Sequence, residues 1–149
     1  MSAVKTIVGI VGLMGLILLG AGCASIRPPS GTAPVERRIL VTGYCPCREC
    51  CSWHRNWLLR PVYSSGPLKG QRKEVGMTAS GTKARHGTIA ADTRLFPFGT
   101  VMKIQGYGMG RVEDQGGAIK GDHIDLFFDS HHDAQEWGKR YVRVLVWSR

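Results

Sequence analysis

Residues 87–128 read GTIAADTRLFPFGTVMKIQGYGMGRVEDQGGAIKGDHIDLFF. Four short runs, Thr88–Ala91, Thr100–Ile104, Gly110–Glu113 and His123–Phe128, are separated by Pro97, Gly99, Gly106, Gly108, Gly116 and Gly117. Runs of this length with this punctuation read as strands joined by tight turns. Three aspartates, Asp92, Asp114 and Asp125, stand in these phrases where strand meets turn. Any one of them alone reads as a turn residue. Three together suggest carboxylates gathered at one site. Gathered carboxylates repel, so at least one tends to hold its proton near neutral pH. A protonated carboxyl beside an ionised one is equipment for cutting a glycosidic bond.

Strand alternation sorts these carboxylates. In His123–Phe128, the residues Ile124, Leu126 and Phe128 share one face, so Asp125 points to the other. Glu113 and Asp114 are adjacent and face opposite ways, so only one of them joins Asp125. The Gly116-Gly117 turn allows close backbone approach and offers amide N–H groups to an oxyanion or sugar hydroxyl. Lys120 either steadies an ionised neighbour or is solvated, and solvation is the simpler reading.

Upstream, Arg38–Tyr44 reads as the first strand and leads into Cys45-Pro-Cys-Arg-Glu-Cys-Cys51. These four cysteines, Cys45, Cys47, Cys50 and Cys51, suit disulfides or a metal, but they lack the two-and-two spacing of a zinc ribbon. In an exported chain one or two disulfides are the expectation. Cys50 and Cys51 are adjacent and bond each other only with strain, so Cys45 or Cys47 is the expected partner. The basic, aromatic stretch from Trp53 to Val75 carries Pro61, Gly66, Pro67 and Gly70 and predicts a long surface loop. Downstream, Ser130 reads as an N-cap, Ala134 and Trp137 share a helical face, and Gly138 ends the helix. That places His131 and His132 on the exposed start of this helix. Tyr141–Trp147 then puts Val142, Val144 and Val146 on one strand face. Several short strands with one or two helices predict a mainly β fold, a small closed or partly closed barrel.

The N-terminus has its own logic. Lys5 precedes an apolar run from Ile7 to Leu19, followed by Gly20-Ala21-Gly22-Cys23. A basic start, a short apolar stretch and small residues describe an export signal over 1–22. A transmembrane helix needs roughly 20 apolar residues, more than this run holds. Cys23 sits where a lipobox cysteine would be cleaved and acylated, although Gly20 stands where lipoboxes usually carry leucine. Ala24 and Ser25 follow, without the aspartate of inner-membrane retention. The expectation is an outer-membrane lipoprotein facing the periplasm, attached to the membrane through its lipid. Residues 23–37 hold Pro, Ser and Gly and read as a flexible tether before one domain, 38–149. Without residues 1–22 the chain has 19 Lys and Arg against 11 Asp and Glu, a net charge of +8, because only Lys5 is lost from 20. Such a balance favours acidic partners. Export, and the lack of a basic helical stripe or stacking aromatics, argue against nucleic acid. An anionic wall polymer and a membrane surface remain.

The phrases 87–92, Pro97–Thr100, 112–121 and Ile124–Phe128, with Thr78-Ala-Ser-Gly-Thr82 and the Tyr-Cys-Pro-Cys motif, resemble the three-aspartate (3D) domain family. The resemblance covers roughly residues 38–149. It implies a six-stranded double-psi β-barrel. By similarity to membrane-bound lytic transglycosylase A and to stationary-phase muralytic proteins, it also implies cleavage of peptidoglycan glycan strands. Asp125 matches the family's proposed catalytic acid, and Asp114 and Asp92 its active-site companions. Thr78, Ser80, Gly116, Gly117 and Lys120 are the expected substrate-binding positions, with no cofactor or metal expected at them, while the cysteines stay open to disulfides or a metal. In such a reaction the C6 hydroxyl of N-acetylmuramic acid attacks its own anomeric carbon. That tethering supplies on the order of 7–11 kcal/mol of the barrier. Membrane-bound lytic transglycosylase A has a second domain as the far wall of its groove. Here only the 53–76 segment or a second copy, as a homodimer, is available for that part. The alternatives are a non-catalytic wall-binding barrel and a glycoside hydrolase using water.

Overall fold

A computed structural model describes residues 25–148, so the signal segment 1–22 and Cys23 lie outside the described residues. Six strands close into a barrel: β1 (Val35–Tyr44), β4 (Thr88–Ala91), β5 (Val101–Ile104), β6 (Gly108–Asp114), β7 (His123–Phe127) and β8 (Arg140–Trp147). Around the barrel the order is β1-β7-β4-β6-β5-β8. Two pairs are parallel, β1 with β7 and β4 with β6, and β4 and β7 join them antiparallel. This is the mainly β, six-stranded double-psi barrel that the resemblance implies. Closure leaves no free sheet edge, which lets strands of four or five residues persist.

The alternating residues fill the barrel. Ile39 and Val41, Ile89 and Ala91, Met102 and Ile104, Val112, Ile124 and Leu126, and Val144 and Val146 form one buried cluster. Each large aliphatic side chain removed from water here stabilises by roughly 1.5–3 kcal/mol. Helix α2 (His131–Trp137) closes one end, with Ser130 Oγ accepting from the Asp133 N–H at 3.1 Å, as its N-cap. Gly43 is required beneath it. A Cβ there would come within 2.9 Å of the Ala134 carbonyl oxygen and of the Phe128 ring.

Three expectations need correction. The tether ends before residue 37, because β1 begins at Val35, where Val35 to Arg37 pair with Val146 to Val144 of β8. Ladder hydrogen bonds outweigh the polar look of Glu36 and Arg37. The 53–76 segment is not a plain loop. It carries an antiparallel ribbon of β2 (Trp53–Arg55) and β3 (Pro61–Tyr63), preceded by a one-turn helix, α1 (Arg48–Cys51). Pro61 is tolerated because it stands first in its strand. His131 does not decorate an exposed helix start; it is half-buried against the cysteines.

A carboxylate cleft beside a cysteine cluster

One lateral row of residues builds the site. Asp125 on β7 pairs with Ala90 on β4, and Ala90 pairs in turn with Asp114 on β6. On the other side Asp125 pairs with Thr42 of β1. A bulge between Ile89 and Ala90 sets the register, with Ile89 opposite Val112 and Ala90 opposite Asp114. Glu113 is the extra residue of that bulge. The two aspartates therefore share a face two strand spacings apart, about 9–10 Å at the backbone. Ala90 between them is small, so the space above it stays open.

That space is a cleft of about 510 Å³. Its floor is Tyr44, Ala90 and Phe127, with the Tyr44 and Phe127 rings edge to face at 5.5 Å. Tyr63, Leu68, Lys73 and Met77 line it from the 53–77 arm, and Ile119 and Gly116 from the loop after β6. The arm thus supplies a wall facing the barrel. A larger hollow of about 820 Å³ next to Trp137 contains neither Asp114 nor Asp125.

The two carboxyls have different surroundings. Asp125 accepts one side-chain hydrogen bond, from the Thr42 hydroxyl at 2.8 Å. Burial against the apolar floor is the main cause that pushes its pKa up to about 6. The Thr42 hydrogen bond opposes this by favouring the anion, and the negative charge of Asp114 adds to it. Asp114 accepts from the Ala79 and Gln115 N–H groups, each at 2.9 Å, and from the Tyr44 hydroxyl at 3.1 Å. The Ala79 amide is presented by the Thr78–Thr82 turn. There Thr78 Oγ1 lies 2.9 Å from Thr82 Oγ1 and 3.1 Å from Ser80 Oγ.

Of the implied substrate-binding residues, Thr78 and Gly116 line the cleft. Ser80, Gly117 and Lys120 do not, and all three are exposed. Asp92 does not line the cleft. Its carboxylate is held by the Arg94 guanidinium at 2.8 and 3.0 Å and by the Gly121 N–H at 3.1 Å. Those partners keep it well below the usual carboxylate range. The bond to Gly121 anchors the loop that ends there. Glu113 is not a bland neighbour either. It is buried, and its Oε2 accepts from the Thr88 hydroxyl at 2.9 Å.

Two residues escaped the sequence reading. Tyr44 stands on the outward face of β1 with Thr42, which also lies 3.0 Å from His123 Nε2. The signal was there in β1, where Ile39 and Val41 point inward and leave Thr42 and Tyr44 on the face that β7 shares. Because Thr42 stabilises the Asp125 anion, Thr42→Val is expected to raise the Asp125 pKa above about 6. A carboxyl-carbon NMR titration checks this, and an unchanged or lowered midpoint contradicts it.

The cysteines adjoin this cleft, which Cys50 and Cys51 help to line. Cys45, Cys47, Cys50 and Cys51 are all free thiols here, where one or two disulfides were the expectation. Three of them turn toward His131, while the Cys51 thiol bonds instead to the Cys45 carbonyl at 3.2 Å. The Phe128 N–H bond to the Tyr44 carbonyl, at 2.8 Å, brings the start of α2 to the end of β1. Sequence spacing does not reveal that approach.

Known proteins resemble parts of this chain. The 3D domain family matches residues 87–148. The cell wall-binding protein YocH of Bacillus subtilis (strain 168) is 40% identical over 75 residues, 48% of this chain and 26% of its own. The putative cell wall shaping protein YabE of the same organism is 35% identical over 75 residues, 48% of this chain and 18% of its own. The chain therefore spans about a quarter or less of these relatives. Among solved structures, E. coli MltA aligns at 26% identity and a TM-score of 0.39, over 47% of this chain and 26% of that one. MltA with bound chitohexaose aligns at 23% and 0.42, over 51% and 28%. All three aspartates of the motif lie inside the matched segment, so residues 87–148 are similar to the 3D domain family.

Proposed function

We propose that this protein is a peptidoglycan lytic transglycosylase that cleaves the glycosidic bond between N-acetylmuramic acid and N-acetylglucosamine, leaving a 1,6-anhydro end. The observation that carries the reading is the asymmetric pair across Ala90. Asp125, with a pKa of about 6, is able to hold a proton, while Asp114 receives three hydrogen bonds in the same cleft. Asp125 protonates the departing glycosidic oxygen and then takes the proton of the attacking C6 hydroxyl. The charge of Asp114 stabilises the positive sugar ring of the transition state. The nucleophile belongs to the reacting sugar, so no water has to be held between the carboxyls. The net charge of +8 without residues 1–22 suits an anionic wall polymer. The names of the two Bacillus relatives point to the cell wall as well. Attachment through a lipid on Cys23, at the periplasmic face of the outer membrane, belongs to the same proposal.

A second reading is a wall-binding barrel without catalysis, and the name of the cell wall-binding relative favours it. Digestion of purified peptidoglycan followed by mass spectrometry separates the two. Anhydro ends are expected. Reducing ends would mean a hydrolase that uses water, and intact strands retained on the protein would mean a binder.

A further inference from the structure

We infer that Cys45, Cys47, Cys50 and His131 form a tetrahedral zinc site that ties the end of β1 and helix α1 to the start of helix α2. The four ligand atoms lie within 4.8 Å of one another. His131 Nδ1 is 3.4 Å from the Cys47 sulfur, 3.5 Å from that of Cys50 and 3.8 Å from that of Cys45. The Cys45 and Cys50 sulfurs are 3.8 Å apart. A tetrahedral zinc with bonds of about 2.3 Å to sulfur and about 2.0–2.1 Å to nitrogen needs S···S edges of about 3.8 Å and S···N edges of about 3.5–3.6 Å. The observed edges agree to within about 0.3 Å, near the tolerance for a metal site.

The surroundings supply what zinc ligands need. His131 turns Nδ1 to the sulfurs, and its Nε2 lies 3.2 Å from the Glu49 carboxylate. A metal-bound histidine holds its other ring N–H against such a carboxylate, which fixes tautomer and ring plane. The Cys50 backbone N–H points at the Cys47 sulfur at 3.4 Å, a contact that stabilises a thiolate. The Trp53 indole N–H bonds the Pro46 carbonyl at 3.0 Å and steadies the turn between the first two ligands. Three sulfurs and one imidazole are a closed, structural donor set for zinc. Cys51 is excluded, because its sulfur is turned to the Cys45 carbonyl.

Such a site has a mechanical role. The ligand Cys50 and its neighbour Cys51 pack against Tyr44, Ala90 and Phe127, so fixing α1 also fixes one wall of the carboxylate cleft. Neither helix has the length to hold itself: α1 has four residues and α2 seven. This inference does not depend on what the cleft cleaves.

The test is elemental analysis of the full chain purified in detergent without chelator. About one zinc per chain is expected, and stripping it should lower the thermal midpoint. The stripped protein reloaded with cobalt(II) should show the thiolate charge-transfer and tetrahedral bands of a three-sulfur site. Cys51→Ser should keep the zinc, whereas His131→Ala should reduce it below about a tenth. Glu49→Gln should weaken zinc binding about tenfold. If His131→Ala does not fold, the cobalt spectrum of the wild type and the retention by Cys51→Ser decide the matter. Metal-free protein with a disulfide among Cys45, Cys47 and Cys50 would overturn the site. So would iron or copper in place of zinc, or full zinc retention by folded His131→Ala.

Discussion

Asp125→Asn is expected to reduce glycan cleavage by roughly a hundredfold or more. The amide keeps the shape and an oxygen for the Thr42 hydroxyl, which now donates to Asp125 at 2.8 Å. What disappears is the transferable proton. The same substitution should stabilise the fold at neutral pH. The Asp125 pKa is about 6 against the usual 3.8, so the folded chain binds its proton more tightly than the unfolded chain does. Stability therefore falls as pH rises from about 4 to about 6 and stays lower above that. Asn does not titrate, so the variant should be more stable than the wild type above pH 6, by about 1–3 kcal/mol. Cleavage should likewise decline as pH rises through about 6, because the acid must be protonated to act. Rates on purified peptidoglycan, with denaturant unfolding at pH 7.5 and pH 4, check both halves. Wild-type cleavage by Asp125→Asn would remove it from catalysis and leave the wall-binding reading.

The second large effect belongs to Asp114. Asp114→Asn is expected to lower cleavage about tenfold to a hundredfold, through lost charge at the transition state. An asparagine oxygen is able to keep both amide bonds, from Ala79 and Gln115, and its NH2 can donate to the Tyr44 oxygen. The geometry survives while the charge goes. Since the charge of Asp114 helps raise the Asp125 pKa, the decline of activity should also move to lower pH in this variant. A purely structural role for Asp114 would lower the rate without moving that midpoint. A pH–rate profile of the variant distinguishes the two. Glu113→Gln, which looks from strand alternation like a neutral control, is a poor one, because Glu113 is buried on the Thr88 hydroxyl.

Much of this molecule follows from local pattern. Period-two alternation in 123–128 and 141–147 puts Ile124, Leu126, Val144 and Val146 inward and Asp125 outward, whatever the barrel does with them. Ser130 and Gly138 bound α2 because capping is satisfied within a few residues of chain. The β-barrel class and the three aspartates belong to the same local reading. Pairing across strands is a different matter. That Ala90 stands between Asp114 and Asp125, with Thr42 beyond, depends on register and on a bulge at Ile89, which arise from the closure of the whole barrel. Asp92 looks equal to the other two aspartates in sequence. Only the fold turns it to Arg94 and the Gly121 amide. Likewise the meeting of His131 with Cys47, 84 residues away in the chain, is a product of the β1 and β7 pairing. Local chemistry is written in neighbouring residues, but a site assembled from distant strands exists only once the barrel has closed around its core.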